Sequence, residues 1–335
     1  MKSKWLRGVA FGTLLAATMV CLAALPSPQR AAARAAESAG GPTRLLRYAD
    51  ISKDRVVFAY AGDLWIASRQ GGGARRLTSH VGDELYPKFS PDGKWIAFTG
   101  EYDGNPDVYV VSAEGGEPKR LTFHPGNDIV LGWTPDGKDI LFRADRTGGP
   151  PQRTTKLYLV SPQGGPAREL PPPRADLTSF SPDGNKIAYI ETSQEFRTWK
   201  RYHGGWSLPI AIYDLKKNTY EELPKAEGMD LFPMWHGNAI YFISDRDGVM
   251  NLYSYDLGSK ATRKLTEYKE YDIKWPSLGP DAIVFENGGL LYEYGIESGK
   301  TKNLPIEVHA GVDAAPLLLG GRRTPIQELP HVEFA

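Results

Sequence analysis

Apolar and polar positions along the chain follow a pattern that returns six times. Each copy has a Pro-Asp-Gly-type turn, an apolar strand, a strand of the Leu-Tyr type, a Gly-rich turn and a basic stretch ending in Leu-Thr or Leu-Pro. The turn is intact at residues 90–93, 134–137 and 181–184, and degenerate copies fill the gaps. Proline presets φ in such a turn, and glycine accepts the conformation that follows aspartate. Each copy therefore predicts four short strands joined by hairpins.

A single four-stranded sheet cannot bury its two faces, so copies spaced at roughly 40 to 50 residues must pack face to face, as in a β-propeller. The sequence predicts an all-β fold, a six-bladed β-propeller of four-stranded antiparallel blades over residues 42–305. The blades are expected to begin near Leu45, Phe89, Trp133, Phe180, Trp235 and Trp275. Because every blade has its own strands in chain order, we expect closure by side-chain packing alone, without strand exchange.

Composition agrees with a large globular ring. Hydrophobic residues make up 41% of the chain and aromatic residues 11%, which is enough for an extensive core. Lys plus Arg and Asp plus Glu are equal at 40 each, so no net field attracts nucleic acid or an anionic membrane. Nucleic acid is therefore not an expected partner.

The first 41 residues have the pattern of a secretory signal followed by an Ala-rich linker. Lys2, Lys4 and Arg7 precede an apolar run over residues 8–25. We expect export, with the mature chain beginning between residues 25 and 41, and a periplasmic location. Cys21, the single cysteine, lies in this segment, so the mature protein would have no disulfide. An uncleaved membrane anchor is the alternative, and a lipid anchor on Cys21 a weaker one.

The repeat over residues 90–122 looks like the TolB type of propeller repeat. More specific segments lie at residues 45–65, 198–205 and 240–248, and together they resemble the first propeller of tricorn protease and its bacterial homologues. The resemblance extends from about residue 45 to about residue 305.

This resemblance implies a large serine protease that degrades peptides, whose propellers gate access and product exit and whose catalytic residues lie far downstream. The chain is then expected to be a fragment, with residues 306–335 forming a tail or linker to a missing domain. Expected partners are peptides, the remainder of the protease and further copies held through the missing domains. Family analogy also allows a cytoplasmic location. The alternative function is a stand-alone TolB-like periplasmic propeller that binds a protein or peptide.

No catalytic, metal or cofactor residues are predicted. The chain contains no Gly-x-Ser-x-Gly nucleophile elbow, and its histidines lack the spacing of a zinc site. Locally hydrogen-bonded loop positions are the expected role of these residues, which are His80, His124, His203, His236, His309 and His331.

The resemblance implies a pair of arginines that anchors peptides, located in the connection between blades two and three. Here that connection, residues 123–130, contains no arginine. Arg143, Arg146 and Arg153 belong to a nearby insertion and could replace the pair, but we expect them to be solvated.

The connection between the second and third strands of blade four, residues 191–208, is lengthened by an aromatic and basic insertion. Aromatic and arginine side chains contribute most at protein interfaces. The alternative is a satellite cluster folded under the loop. The candidate docking or channel residues are Trp199, Lys200, Arg201, Tyr202, His203 and Trp206.

Overall fold

The computed structural model describes residues 41–146, 155–192, 202 and 204–309. These residues form six four-stranded antiparallel sheets, which confirms the predicted fold class of a six-bladed β-propeller without strand exchange. No helix able to cross a membrane occurs in the described ranges.

Each sheet consists of strands that follow one another in the chain, and we number the blades accordingly. Blade one contains β1 (Arg47–Ile51), β2 (Arg55–Tyr60) and β3 (Asp63–Ser68), then the short β4 (Gly72–Gly73), which lies outside the sheet, and the outer strand β5 (Arg75–Arg76). Blade two contains β6 (Glu84–Phe89), β7 (Trp95–Gly100), β8 (Asp107–Ser112) and β9 (Lys119–Arg120). Blade three contains β10 (Asp128–Trp133), β11 (Ile140–Ala144), β12 (Lys156–Val160) and β13 (Arg168–Glu169).

The remaining blades repeat the arrangement. Blade four contains β14 (Thr178–Phe180), β15 (Lys186–Tyr189), β16 (Ala211–Asp214) and β17 (Thr219–Glu222). Blade five contains β18 (Asp230–His236), β19 (Ala239–Ser244), β20 (Asn251–Asp256) and β21 (Thr262–Lys264). Blade six contains β22 (Lys274–Leu278), β23 (Ala282–Asn287), β24 (Leu290–Gly295) and β25 (Lys300–Asn303), and the two-residue β26 (Ile306–Glu307) follows it.

The predicted blade starts need one correction. Phe89, Trp133 and Phe180 are the last residues of inner strands, and Trp235 is the next to last, so none of the four is the first residue of a blade. Blade two begins at Glu84, because its inner strand precedes the Pro-Asp-Gly turn. Five of the six inner strands contain a charged residue and three of these also contain proline, as in the sequence ELYPKF, which weakens the apolar run that identifies the second strand.

The core lies between neighbouring blades, where the second and third strands of each sheet are buried. Phe98 and Tyr109 face each other across β7 and β8, with ring centroids 5.6 Å apart. The same phenylalanine–tyrosine pair occurs in blades three, five and six. Such ring pairs contribute about 0.5–1.5 kcal/mol beyond their buried area.

The ring is closed by backbone hydrogen bonds as well as by packing. Strand β26 pairs in parallel with β4, since Pro305 and Glu307 accept hydrogen bonds from the amides of Gly72 and Ala74 at 2.9 and 2.8 Å. Closure by side-chain packing alone was therefore a wrong expectation. Gly71 permits this approach, because a Cβ atom there would lie 2.6 Å from Pro305.

Candidate functional site

A cavity of about 1510 Å³ lies where the inner strands of all six blades converge. The inner strands contribute at least one lining residue each, among them Tyr48, Tyr86, Leu131, Ser179, Phe232 and Trp275. The turns that follow the inner strands also line it, so the cavity opens toward the face of the ring that carries the Pro-Asp-Gly turns. We call it the central channel.

The turns at the mouth of the channel are held by their own aspartates. Asp92 accepts hydrogen bonds from the Ser90 hydroxyl at 2.6 Å and from the Lys94 amide at 3.1 Å. Asp136 and Asp183 hold their turns through the equivalent hydroxyls of Thr134 and Ser181. The Lys138 side chain lowers the pKa of Asp136 to about 2, and the Ser181 hydroxyl lowers that of Asp183 to about 2. These carboxylates hold the turns, as the sequence indicates.

Deeper in the channel, aromatic rings from four blades meet. Tyr48 of blade one lies 4.6 Å from Tyr86 of blade two and 4.7 Å from Trp275 of blade six, between ring centroids. Tyr86 and Trp275 belong to blades that are not neighbours, yet their centroids are only 5.7 Å apart. Phe232 of blade five adds a ring 5.5 Å from Trp275. We call these four residues the aromatic cluster.

The aromatic cluster arises from one backbone feature. The inner strands of five blades have an irregular register, whereas β14 of blade four pairs regularly with β15. The cluster residues lie at four of these β-bulges, and each has a left-handed backbone conformation. Their φ values are 53° for Tyr48, 54° for Tyr86, 55° for Phe232 and 48° for Trp275. A bulge re-aims side chains, and here it directs four large rings into the channel.

A polar group lies beside the aromatic cluster. The Ser277 hydroxyl donates to Asp50 at 2.5 Å, and the Lys88 ammonium donates to the same hydroxyl at 2.5 Å. Burial raises the pKa of Asp50 and lowers that of Lys88, because desolvation disfavours both charges. The group joins blades one, two and six and is balanced in charge.

Further hydrogen bonds between blades fix the inner strands. The Phe89 amide donates to Asp50 at 2.7 Å, the Trp133 indole to the Lys88 carbonyl at 3.0 Å and the Trp235 amide to the Ser179 hydroxyl at 3.0 Å. The channel wall is therefore a preorganised surface.

Two of the six predicted docking residues, Tyr202 and Trp206, are described by the structure, and neither lines this channel. Trp199, Lys200, Arg201 and His203 lie outside the described residues. Tyr202 is half-buried and packs against the hydrophobic cluster shared by blades four, five and six, while Trp206 is 56% exposed. The structure thus separates the two described members of the insertion: one supports the core and one faces solvent.

Two of the three arginines assigned to the blade-three insertion, Arg143 and Arg146, are not solvated as expected. Arg143 is buried in an ion pair with Asp176, and it lines the channel. Arg146 bonds to buried Asp128 at 2.6 Å and lies 4.7 Å from the ring centroid of Tyr158. Arg153 lies outside the described residues. Arg143 and Arg146 therefore have structural roles, because each forms an ion pair with a buried aspartate.

Two histidines have the local role that the sequence indicates. His80 and His124 each accept a hydrogen bond at Nδ1 from the amide two residues on, Gly82 at 3.0 Å and Gly126 at 2.9 Å. In the part of the chain that the structure describes, no group of three His, Cys, Asp or Glu side chains is placed to hold a metal ion.

The chain matches one protein family and is similar to several of its members. Residues 43–300 match the family model of the tricorn protease N-terminal beta propeller domain. A tricorn protease homolog from Saccharolobus solfataricus is 31% identical over 267 residues, which are 78% of this chain and 24% of that protein. Tricorn protease from Thermoplasma acidophilum is 29% identical over 278 residues, or 78% of this chain and 25% of that protein. The chain spans about a quarter of the length of these relatives.

Solved structures superimpose on the described fold as well. The crystal structure of the tricorn protease superimposes with a TM-score of 0.71 at 28% identity, covering 81% of this chain and 27% of that one. TolB from Acinetobacter baumannii superimposes with a TM-score of 0.60 at 20% identity, covering 83% and 70% of the two chains. At 20% identity, the likeness to TolB shows a shared fold only. A relative from Sulfurisphaera tokodaii, 34% identical over 96 residues, is described as a tricorn-like protease C-terminal subunit.

Proposed function

Since this chain belongs to the family of tricorn protease N-terminal β-propeller domains, we propose that it is the non-catalytic propeller of a tricorn-like serine protease and that its central channel admits peptides. In this role the ring docks or gates peptides, and another part of the assembly cleaves them. The matches support this role, because the chain aligns with about a quarter of a tricorn protease and of a tricorn protease homolog. The name of the Sulfurisphaera tokodaii relative supports an assembly in which subunits share the parts of the protease.

The observation that carries the proposal is the channel itself. It has an open side at the turn face, a volume of about 1510 Å³ and an aromatic cluster deeper inside, so it can admit an extended chain and contact it closely. The serine and lysine beside the cluster do not contradict a non-catalytic role. The Ser277 hydroxyl donates to Asp50, and the Lys88 ammonium balances that carboxylate, so the group links blades.

Protection of an engineered thiol tests whether peptides enter. Leu131 lines the channel and is half-buried, whereas Ser298 lies in an exposed outer turn. In the Leu131→Cys variant, a mixture of short peptides should slow alkylation by a maleimide, and the Ser298→Cys control should react at an unchanged rate. Mass spectrometry of the same mixture should recover the peptides intact. Equal alkylation rates with and without peptides would refute peptide entry, and cleaved peptides would refute the non-catalytic role.

We also propose export to the periplasm, supported by the basic start and apolar run of residues 1–41. Sequencing the N-terminus of the protein recovered from its native cells tests this. Cleavage between residues 25 and 41 is expected, and recovery of a chain that begins at Met1 from the soluble cytoplasm would overturn it.

A further inference from the structure

The aromatic cluster is built at an energetic cost that packing alone does not explain. Large side chains rarely adopt φ near +50°, because that backbone conformation is strained for any residue with a bulky Cβ substituent. Glycine would form the same bulges without that cost. The chain instead places Tyr48, Tyr86, Phe232 and Trp275 at these positions. Strain of this kind concentrates at ligand clamps and functional sites.

The four rings are not ordinary core residues. Each stays partly exposed, and each lines the channel. The rings contact one another across blades, at centroid distances of 4.6–5.7 Å, with tilted or edge-to-face geometry. Such an arrangement leaves ring faces and edges turned toward the cavity, where a further apolar group can pack.

The strained backbone is supported from behind. The amide of Tyr48 donates to buried Glu286 of blade six at 2.8 Å, and Arg47 bonds to the same carboxylate at 2.9 Å. Support from a neighbouring blade fixes the ring of Tyr48 before any ligand arrives. A preorganised site loses less entropy on binding.

The surroundings select an uncharged occupant. The Arg47 guanidinium already lies 5.5 Å from the ring centroid of Tyr48, and the Lys88 ammonium is held beside the cluster, so a further cation would meet repulsion. The nearby carboxylate of Asp50 is bonded to Ser277 and balanced by Lys88. Elsewhere the channel wall presents Leu131 and Leu177, together with Arg143, whose charge is balanced by its ion pair with Asp176.

We propose that the aromatic cluster binds an aromatic or long aliphatic side chain of an extended peptide segment that enters from the turn face. This proposal rests on the proposed function, because it assumes that peptides enter the channel. It adds a side-chain preference: apolar residues are held at the cluster, whereas polar or cationic residues pass without stable binding.

Calorimetric titration of the full chain with capped pentapeptides tests the preference. The probes are acetyl-Gly-Gly-Phe-Gly-Gly-amide and the same peptide with Ser or Lys at its centre, so no terminal charge contributes. Since the phenyl ring can pack against more than one ring of the cluster, the Phe peptide should bind about tenfold tighter than the Ser peptide. Trp275→Gly keeps the left-handed backbone accessible and should abolish that difference. Trp95→Ala, which removes an exposed indole outside the cluster, should leave it unchanged.

The outcomes separate the two proposals. Equal affinity for the Phe and Ser peptides, tighter binding of the Lys peptide, or a Phe preference that survives in Trp275→Gly would overturn the side-chain site while leaving peptide entry intact. Failure of every peptide to bind, together with unprotected alkylation of the Leu131→Cys thiol, would overturn both. If Trp275→Gly does not fold, Tyr86→Gly offers the same test at another member of the cluster.

Discussion

Arg69 of blade one and Glu293 of blade six form a buried ion pair, with Nε and Oε2 2.8 Å apart and the two residues 224 positions apart in the chain. Arg69 also bonds to Asp281 at 2.7 Å, and Lys302 bonds to Glu293 at 3.1 Å. The pair therefore joins the first blade to the last, next to the short pairing of β26 with β4. A propeller must hold these two blades together, and here a side-chain pair and backbone hydrogen bonds both contribute.

Removing the arginine should open this junction. Arg69→Ala leaves Glu293 buried with only Lys302 as a cationic partner, so the free energy of unfolding should fall by about 3 kcal/mol. Chemical denaturation monitored by tryptophan fluorescence measures the loss. Lys138→Ala is the matched control, because it removes an exposed cation from the Asp136 pair and should change little. Similar small losses in both variants would show that the ion pair does not hold the ring closed.

The β26 segment makes a second, independent prediction. Ile306 is fully buried in the cluster that joins blades six and one. Ile306→Ala leaves a cavity there and should cost about 3 kcal/mol, while Ile306→Val should cost about 1 kcal/mol. Val81→Ala, at a side chain that is 82% exposed, should stay within about 0.5 kcal/mol. If Ile306→Ala is as stable as the Val81 control, β26 does not contribute to closure.

Sequence predicted the frame of this ring because the turns and second strands have strong local patterns. Asp92 and Asp136 hold turns in the way that the Pro-Asp-Gly pattern indicates. Sequence did not predict the inner strands, where proline and charge interrupt the apolar alternation. The sequence also did not predict that backbone hydrogen bonds help to close the ring. The strands that form them, β26 and β4, are each only two residues long and leave no periodic signal in the sequence.

The candidate site was predicted least well. Backbone φ at a bulge depends on cross-strand register, which the sequence pattern does not show. One local signal was present, however, since three members of the aromatic cluster stand directly before proline, as Tyr86-Pro87, Phe232-Pro233 and Trp275-Pro276. Proline in a strand is typical of an edge or a bulge. An aromatic residue before proline, shortly before a turn, therefore indicates a channel-lining position in this chain.

Acidity should affect stability through Glu286, which supports Tyr48. Burial raises the pKa of Glu286 to about 7, although hydrogen bonding to Tyr48 and the charge of Arg47 oppose the shift. An unfolded glutamate titrates near 4.3, so the folded state holds the proton more tightly between about pH 4.5 and pH 7. Stability from this group is then highest below that window and declines as pH rises through it.

Comparison with Glu286→Gln isolates the contribution, because glutamine is isosteric and does not ionise. The free energy of unfolding of the wild type minus that of Glu286→Gln should fall as pH rises from about 4.5 to about 7 and then level off. Denaturation at fixed pH values across this range measures it. A difference that stays constant with pH would contradict the raised pKa.

The blade-four insertion provides the last prediction, since its two described aromatics differ in burial. Trp206 is 56% exposed, so Trp206→Ala should change the free energy of unfolding by no more than about 0.5 kcal/mol. Tyr202 packs against the hydrophobic cluster shared by blades four, five and six, and Tyr202→Ala should cost about 2 kcal/mol. If the insertion is a docking surface of the protease assembly, Trp206→Ala should leave stability nearly unchanged and weaken binding to the catalytic part by about 2 kcal/mol, as the loss of an interface anchor does. Chemical denaturation and binding assays on the same variants separate the roles. A loss of stability in Trp206→Ala equal to that in Tyr202→Ala would show that the insertion is a satellite core and would exclude Trp206 as a docking residue.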